Sequence, residues 1–231
     1  MSETKERVFP YYKAALLVLL ASAVIRVIYL LQLHGSDLWE LLSLDARFYT
    51  ELAHRIASGG GLPGGVITYN PLYPFFLAPI FRLLGDSLIA VRLIQSLLGL
   101  ALLWLVYGAG RLLSPGKDGG LTGLIAMVLA ALYAQFLLFE GSLLATTLIT
   151  FISAASISAA LRLDGVIGRG EALSIFGRRV PLWAGTAGLG ALLGAGALGR
   201  PNFFFPLIVI FPVWFFVRYR RWRGAAACLI G

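Results

Sequence analysis

The sequence predicts an all-α fold: a polytopic membrane helix bundle of about six transmembrane helices, with amphipathic interfacial helices in the first outer loop. Three observations carry that prediction. Hydrophobic residues make up 59% of the 231 and charged residues 13%, with a mean hydropathy of +0.85, whereas a soluble domain carries about 45–50% and about 25%. The apolar residues fall into runs of roughly 20, the length that crosses about 30 Å of hydrocarbon. The basic residues gather in short clusters at alternate breaks between those runs. That spacing of the +8 net charge suits topology and anionic headgroups and argues against a nucleic-acid partner. Cys228 is the only cysteine, which excludes an internal disulfide and any cysteine-based redox or zinc motif.

The first span covers about 11–33. It is too long for a signal peptide and no small-residue cleavage site follows it. Arg26 stands about seven residues before its end, roughly 10 Å at 1.5 Å per residue, and either snorkels to the interface or faces the bundle. Further runs lie at about 87–113, 120–139, 142–161, 182–198 and 203–217. Lys5 and Arg7 precede the first run, and Arg111 and Lys117 follow the second. Arg162, Arg169, Arg178 and Arg179 follow the fourth, and Arg218, Arg220, Arg221 and Arg223 the sixth. Six spans place all of these clusters on one side, which the positive-inside rule makes cytoplasmic, together with the N-terminus. Residues 71–84, PLYPFFLAPIFRLL, form a shorter run with Pro71, Pro74, Pro79 and Arg82. Counted as a full span, it would scatter the basic clusters to both sides, so it reads as an interfacial or re-entrant helix. The closing AAACLIG begins another apolar segment and stops, so residues 1–231 read as an N-terminal fragment or a truncated gene product.

Residues 34–86 form the outer loop, and DARFYTELAHRIAS within it reads as a short amphipathic helix. Tyr49, Leu52, Ala53 and Ile56 keep the i, i+3, i+4, i+7 spacing, while Asp45, Glu51 and Arg55 are placed off that stripe. Gly59-Gly60-Gly61 ends the helix and lacks the Lys-Ser/Thr of a phosphate-cradling loop. Asp45, at the N-terminal end, is favoured there by the macrodipole. It is either a cap and nothing more, or an ionised carboxylate fixed at headgroup depth. His54 has no second His or Cys nearby and reads as a solvated or headgroup-facing residue. Glu140 lies between two long apolar runs, and a carboxylate at a bilayer centre costs about 2.5–3.5 kcal/mol. It therefore belongs at the outer interface or against a polar cavity, as a turn marker before Gly141 or as a site residue. Arg92 and Arg200 fall near the outer face, as headgroup anchors or ligand contacts.

The order of five segments adds a family resemblance. DARFYTELAHRIASG, NPLYPFFLAPIFRLLG, AVRLIQSLLGLALLWLVYGAGRLL, LYAQFLLFEGSLLATTL and GLGALLGAGALGRPN together resemble polytopic glycosyltransferases of the C superfamily. The nearest type is the dolichyl-phosphate-mannose protein mannosyltransferases and their bacterial lipid-linked sugar transferase relatives. The resemblance covers about residues 10–217. It implies an enzyme of a bacterial or archaeal plasma membrane, acting with inversion on a polyprenyl-phosphate-linked sugar and a hydroxyl of an acceptor glycolipid or protein. It assigns the catalytic base to Asp45. Glu140 matches a second acid that lines the site and, in some members, a divalent-metal position; no metal ligand or other cofactor is assigned from the residues themselves. The resemblance also implies substrate contacts at Arg47, Tyr49, Asn70, Tyr73, Arg92 and Arg200. The family often carries Lys or His before a double proline, where this chain has Asn70-Pro71-Leu72-Tyr73-Pro74. That departure leaves Arg92 and Arg200 to meet the donor phosphate.

Two other readings stay open from the sequence. A polytopic transporter or lipid flippase has the same composition, but such proteins carry broken helices and ionisable residues near mid-membrane. Here the acids fall in outer loops and Arg26 is the main charge inside a span. A non-catalytic membrane fragment is the third reading.

Overall fold

The computed structural model describes residues 3–42, 44–60, 70–114, 116, 118–170, 173–175 and 178–219. Helix α1 (Glu3–His34) leads through a 3-10 turn (Asp37–Trp39) to α2 (Leu44–Ala57) and α3 (Leu72–Leu84). Then come α4 (Leu88–Leu113), α5 (Gly119–Ala131), α6 (Ala134–Gly141) and α7 (Thr146–Arg169). A short antiparallel hairpin, β1 (Leu173–Ile175) with β2 (Arg178–Val180), precedes α8 (Leu182–Gly199) and α9 (Pro201–Arg218). The chain is an all-α bundle of the polytopic membrane type. Among the described residues five helices are long and apolar enough to cross a bilayer: α1 over Tyr11–His34, α4, α7, α8 and α9.

The sixth span differs from its sequence expectation. Instead of one helix over 120–139, α5 and α6 meet at a 54° bend. Tyr133 at the join leaves the helical region, with φ −79° and ψ 92°. Neither proline nor glycine stands at this break, so no local signal announced it; the contacts that hold α6 lie on α4 and α1. The seventh helix also starts later than expected, at Thr146, and runs on past Asp164 to a left-handed Gly170 at φ 63°. Residues 71–84 do form a short apolar helix, α3.

Contacts between distant residues fix which ends lie together. Tyr12 packs edge-on against Trp104 with ring centroids 5.6 Å apart, and a side chain on Gly120 would meet the Tyr11 ring. Arg218 pairs with Asp164 at 2.7 Å, and Tyr219 donates to the Asp164 carbonyl at 2.8 Å. The start of α1, the ends of α4, α7 and α9, and the β-hairpin therefore share one end of the bundle. That end also carries Arg111, Arg162, Arg169, Arg179 and Arg218. The opposite end, here the loop end, gathers the 3-10 turn, α2, α3 and the α8–α9 junction. All basic clusters that fall on described residues thus lie on one side, as the six-span reading required; Lys117, Arg220, Arg221 and Arg223 lie outside the described residues.

Helix α4 is the hub. Its inner stripe of Val91, Arg92, Gln95, Ser96, Gly99, Leu102, Leu103, Tyr107 and Gly110 is buried against α1, α5, α6 and α7. Lipid tails are as apolar as leucine, so hydrophobic drive alone does not join helices in a membrane and close backbone approach takes its place. The α4–α5 contact shows this. A Cβ on Gly110 would stand 2.8 Å from the Gly123 Cα, and one on Gly123 would stand 2.5 Å from the Tyr107 carbonyl oxygen. On the outside, residues such as Leu17, Leu20, Leu97, Ile125, Phe205 and Val209 are exposed, forming the apolar surface that a bilayer covers.

These contacts yield a stability prediction. Gly123→Ala must push backbone atoms apart and should lower stability by about 1–3 kcal/mol. Gly188→Ala, on the open face of α8 with nothing within 4 Å, should leave it unchanged or raise it. Thermal unfolding of the two variants in one detergent checks the contrast.

Candidate functional site

The end of α6 poses a problem of backbone chemistry. Its last carbonyls have no intrahelical donor, and inside an apolar bundle each unmet group costs several kcal/mol. Two side chains one turn apart on α4 meet them. Gln95 Nε2 donates to the carbonyls of Glu140 at 2.8 Å and Ser142 at 2.9 Å. Arg92 Nε donates to the Gly141 carbonyl at 2.8 Å and its Nη2 to the Trp39 carbonyl at 2.7 Å. The Arg92 guanidinium also lies 3.9 Å from the centre of the Trp39 ring, a cation–π contact that offsets part of its desolvation. The Tyr73 hydroxyl completes the set by donating to Gln95 Oε1 at 2.8 Å. Burial pushes the Tyr73 phenol far above its ordinary value, so it stays a protonated donor.

Glu140 itself turns to α1. Arg26 Nε and Nη2 donate to its two carboxylate oxygens, each at 2.7 Å, and Nη1 reaches the Ser22 carbonyl at 3.3 Å. The side chains are 6% and 2% exposed, so this is a bidentate pair fully inside the bundle. Gly99 of α4 makes the space: any Cβ there would collide with Glu140 Oε1. Beside the pair lies a cavity of about 10 Å³ lined by Gly99, Leu102, Phe136, Phe139, Glu140, Thr146, Thr147 and Thr150.

Helices α2 and α3 run parallel, because Tyr49 meets Tyr73 at 5.3 Å between ring centroids while His54 stacks on Phe81 at 4.4 Å. His54 is half-buried there, with Nδ1 3.2 Å from Asp86, rather than simply solvated. Asp45 lies four residues before Tyr49 and so on the same helical face, which corrects its placement off the stripe. It is exposed because it stands in the first turn of α2, level with the start of α3. It is also one residue inside the helix, not its cap. On the other flank of α3, a Cβ on Gly199 would stand 2.8 Å from Leu72 Cδ2. Arg200 follows directly, exposed at the junction where α9 begins. Neither α3 nor α9 has a side-chain cap on its first turn. Half-buried Asn70 immediately precedes α3. Asp45 and Arg200 thus flank the start of α3 from opposite sides, with Asn70 just before it.

The structure sorts the expected site residues into two groups. Asp45, Arg47, Asn70 and Arg200 reach the surface at the loop end. Arg47 pairs with Glu51 at 2.9 Å beside an open depression of about 430 Å³ lined by Glu40, Leu41, Leu42, Arg47, Thr50 and Glu51. Tyr49, Tyr73, Arg92 and Glu140 are buried. Arg92 is no headgroup anchor, since carbonyls inside the bundle hold it. Glu140 is no surface turn marker, since Arg26 holds it. Neither of these two cavities is lined by both Asp45 and Glu140. Gln95 and Trp39 were missed, although a lone amide three residues from an arginine inside a 26-residue apolar helix is a readable sign of buried polar bonding. Among the described residues no three His, Cys, Asp or Glu side chains come together to hold a metal ion.

No family model matches the chain, and no curated protein or solved structure gives a significant match to it.

The buried pair predicts an asymmetric mutational response. Arg26→Met strands the Glu140 carboxylate in an apolar site and should cost about 3–5 kcal/mol. Arg26→Met combined with Glu140→Met removes both charges and should recover much of that loss. Unfolding midpoints of wild type, single and double variants in the same detergent give the coupling.

Proposed function

We propose that the chain is an inverting glycosyltransferase module that moves a sugar from a polyprenyl phosphate to an acceptor hydroxyl at its loop end, on the extracytoplasmic face. The observation that carries this reading is the setting of Asp45. Its carboxylate is exposed, no described residue is bonded to it, and it stands level with the uncapped start of α3, with Arg200 across that helix.

The chemistry asks for those parts. An acceptor hydroxyl attacks the anomeric carbon as the bond to the lipid phosphate breaks. Asp45, exposed in the first turn of α2, takes the hydroxyl proton as general base. Charge grows on the departing phosphate, where free N–H groups at the starts of α3 and α9 and the Arg200 guanidinium offer donors. Asn70 adds an amide at the same place. The all-round apolar α9, barely packed within the bundle, gives the prenyl chain a surface to lie along. Glu140 has no part in the transfer under this reading; it holds α6 against α1.

A second reading has one specific observation in its favour. A bidentate ion pair inside the spans next to a broken helix is an arrangement that membrane transporters use. A transporter or flippase of the same lipid-linked substrate would depend on Arg26 and Glu140 rather than on Asp45.

Asp45→Asn separates the two. With the chain in liposomes and polyprenyl-phosphate mannose as donor, the transferase reading expects release of polyprenyl phosphate to fall about 10²- to 10⁴-fold while donor binding is retained. No release of polyprenyl phosphate from wild type or Asp45→Asn, with movement of intact donor between leaflets lost only on breaking the Arg26–Glu140 pair, would favour the transporter instead.

A further inference from the structure

We propose that the cavity between α4, α6 and α7 is a binding site for a single water molecule, held by Thr147, Glu140 and Thr150 as an internal third partner of the Arg26–Glu140 pair. The inference is independent of the proposed activity. Thr147 is 7% exposed, and its hydroxyl is buried with no hydrogen-bond partner among the described residues. It lines the same cavity as the Glu140 carboxylate. A carboxylate accepts about four hydrogen bonds, and Arg26 supplies one to each oxygen, so acceptor capacity remains. Thr150 donates its own hydroxyl proton to the Thr146 carbonyl at 2.8 Å, which leaves its oxygen free to accept. One water satisfies all three: it accepts from Thr147 and donates to Glu140 and Thr150. That makes the roughly three bonds typical of a buried water.

Size and charge select the ligand. The cavity of about 10 Å³ is close to the space of one probe sphere that a single water needs. A sodium ion would require a larger oxygen cage. It would also add a net positive charge to a site where Arg26 has already neutralised Glu140, at a depth where an uncompensated charge is costly. A dry void is the remaining alternative, and it makes the opposite prediction for one substitution. In a dry void the Thr147 hydroxyl is a buried, unmet polar group, and Thr147→Val, which keeps the shape and removes that group, should be neutral or stabilising. With a bound water, the same change removes the water's donor and strands its other bonds.

The site assignment therefore expects Thr147→Val to lower the unfolding midpoint of the full chain by about 2–4 °C. An equal or higher midpoint would overturn it. The second measurement needs no variant. In threonine-labelled wild-type protein in lipid bilayers, water-edited solid-state NMR should show magnetisation passing from ordered water to the Thr147 side chain. Absence of that transfer would overturn the assignment even if Thr147→Val were unstable or failed to fold.

Discussion

A backbone carbonyl that lipid cannot hydrate must find a donor within the protein, and at the end of α6 two in succession, those of Glu140 and Gly141, face that demand. Gln95 and Arg92 answer it from α4, and the geometry of the loop end follows. Because Gln95 also accepts from Tyr73, helix α3 is held at a fixed height on α4. Because Arg92 also donates to Trp39 and lies over its ring, the 3-10 turn is fixed above the same helix. Helix α2 then packs on α3 through Tyr49 and Tyr73. The exposed carboxylate of Asp45 is thus placed by a relay that begins with unmet carbonyls about 95 residues further along the chain.

Two buried cations serve this arrangement in different ways. Arg26 meets a carboxylate in a bidentate pair, so charge and hydrogen-bonding needs are met together. No described carboxylate pairs with Arg92. Carbonyl dipoles and an indole face take that place, and one of its nitrogens, Nη1, has no hydrogen-bond partner among the described residues. An ion pair exchanged for well-packed apolar groups is often no less stable, so the value of Arg26–Glu140 lies in which helices it joins. It locks the short α6 onto α1, across 114 residues of sequence, and a helix of eight residues buries too little surface to hold that position by packing alone.

What could be read from the sequence followed from the length scale of each signal. Apolar runs of about 20 residues and the spacing of basic clusters extend over whole helices, so the span count and the grouping of Arg111, Arg162, Arg169 and Arg218 at one end were legible. The bend at Tyr133 was not, because its cause is tertiary: the bonds that favour it belong to Gln95 and Arg92. The partner of Glu140 was equally hidden, since nothing near Arg26 or Glu140 in sequence points to the other. The face of Asp45 was readable and was misread. Counting four residues back from Tyr49 puts it on the packed stripe, and only its position at the very start of α2 keeps it exposed.

That exposure bears on which acid can act on a substrate. A carboxylate gripped by both nitrogens of an arginine fork at 2.7 Å, with 2% of its surface accessible, has neither the reach nor the free lone pairs in solvent to take a proton from a bound alcohol. Asp45 has both. Their surroundings reinforce the distinction: Asp45 stands near the uncapped start of α3, whereas Glu140 lines a small cavity with Thr147 and Thr150. The two acids therefore differ by depth: the inner one is tied into the scaffold through Arg26, and the outer one is exposed at the surface that scaffold presents.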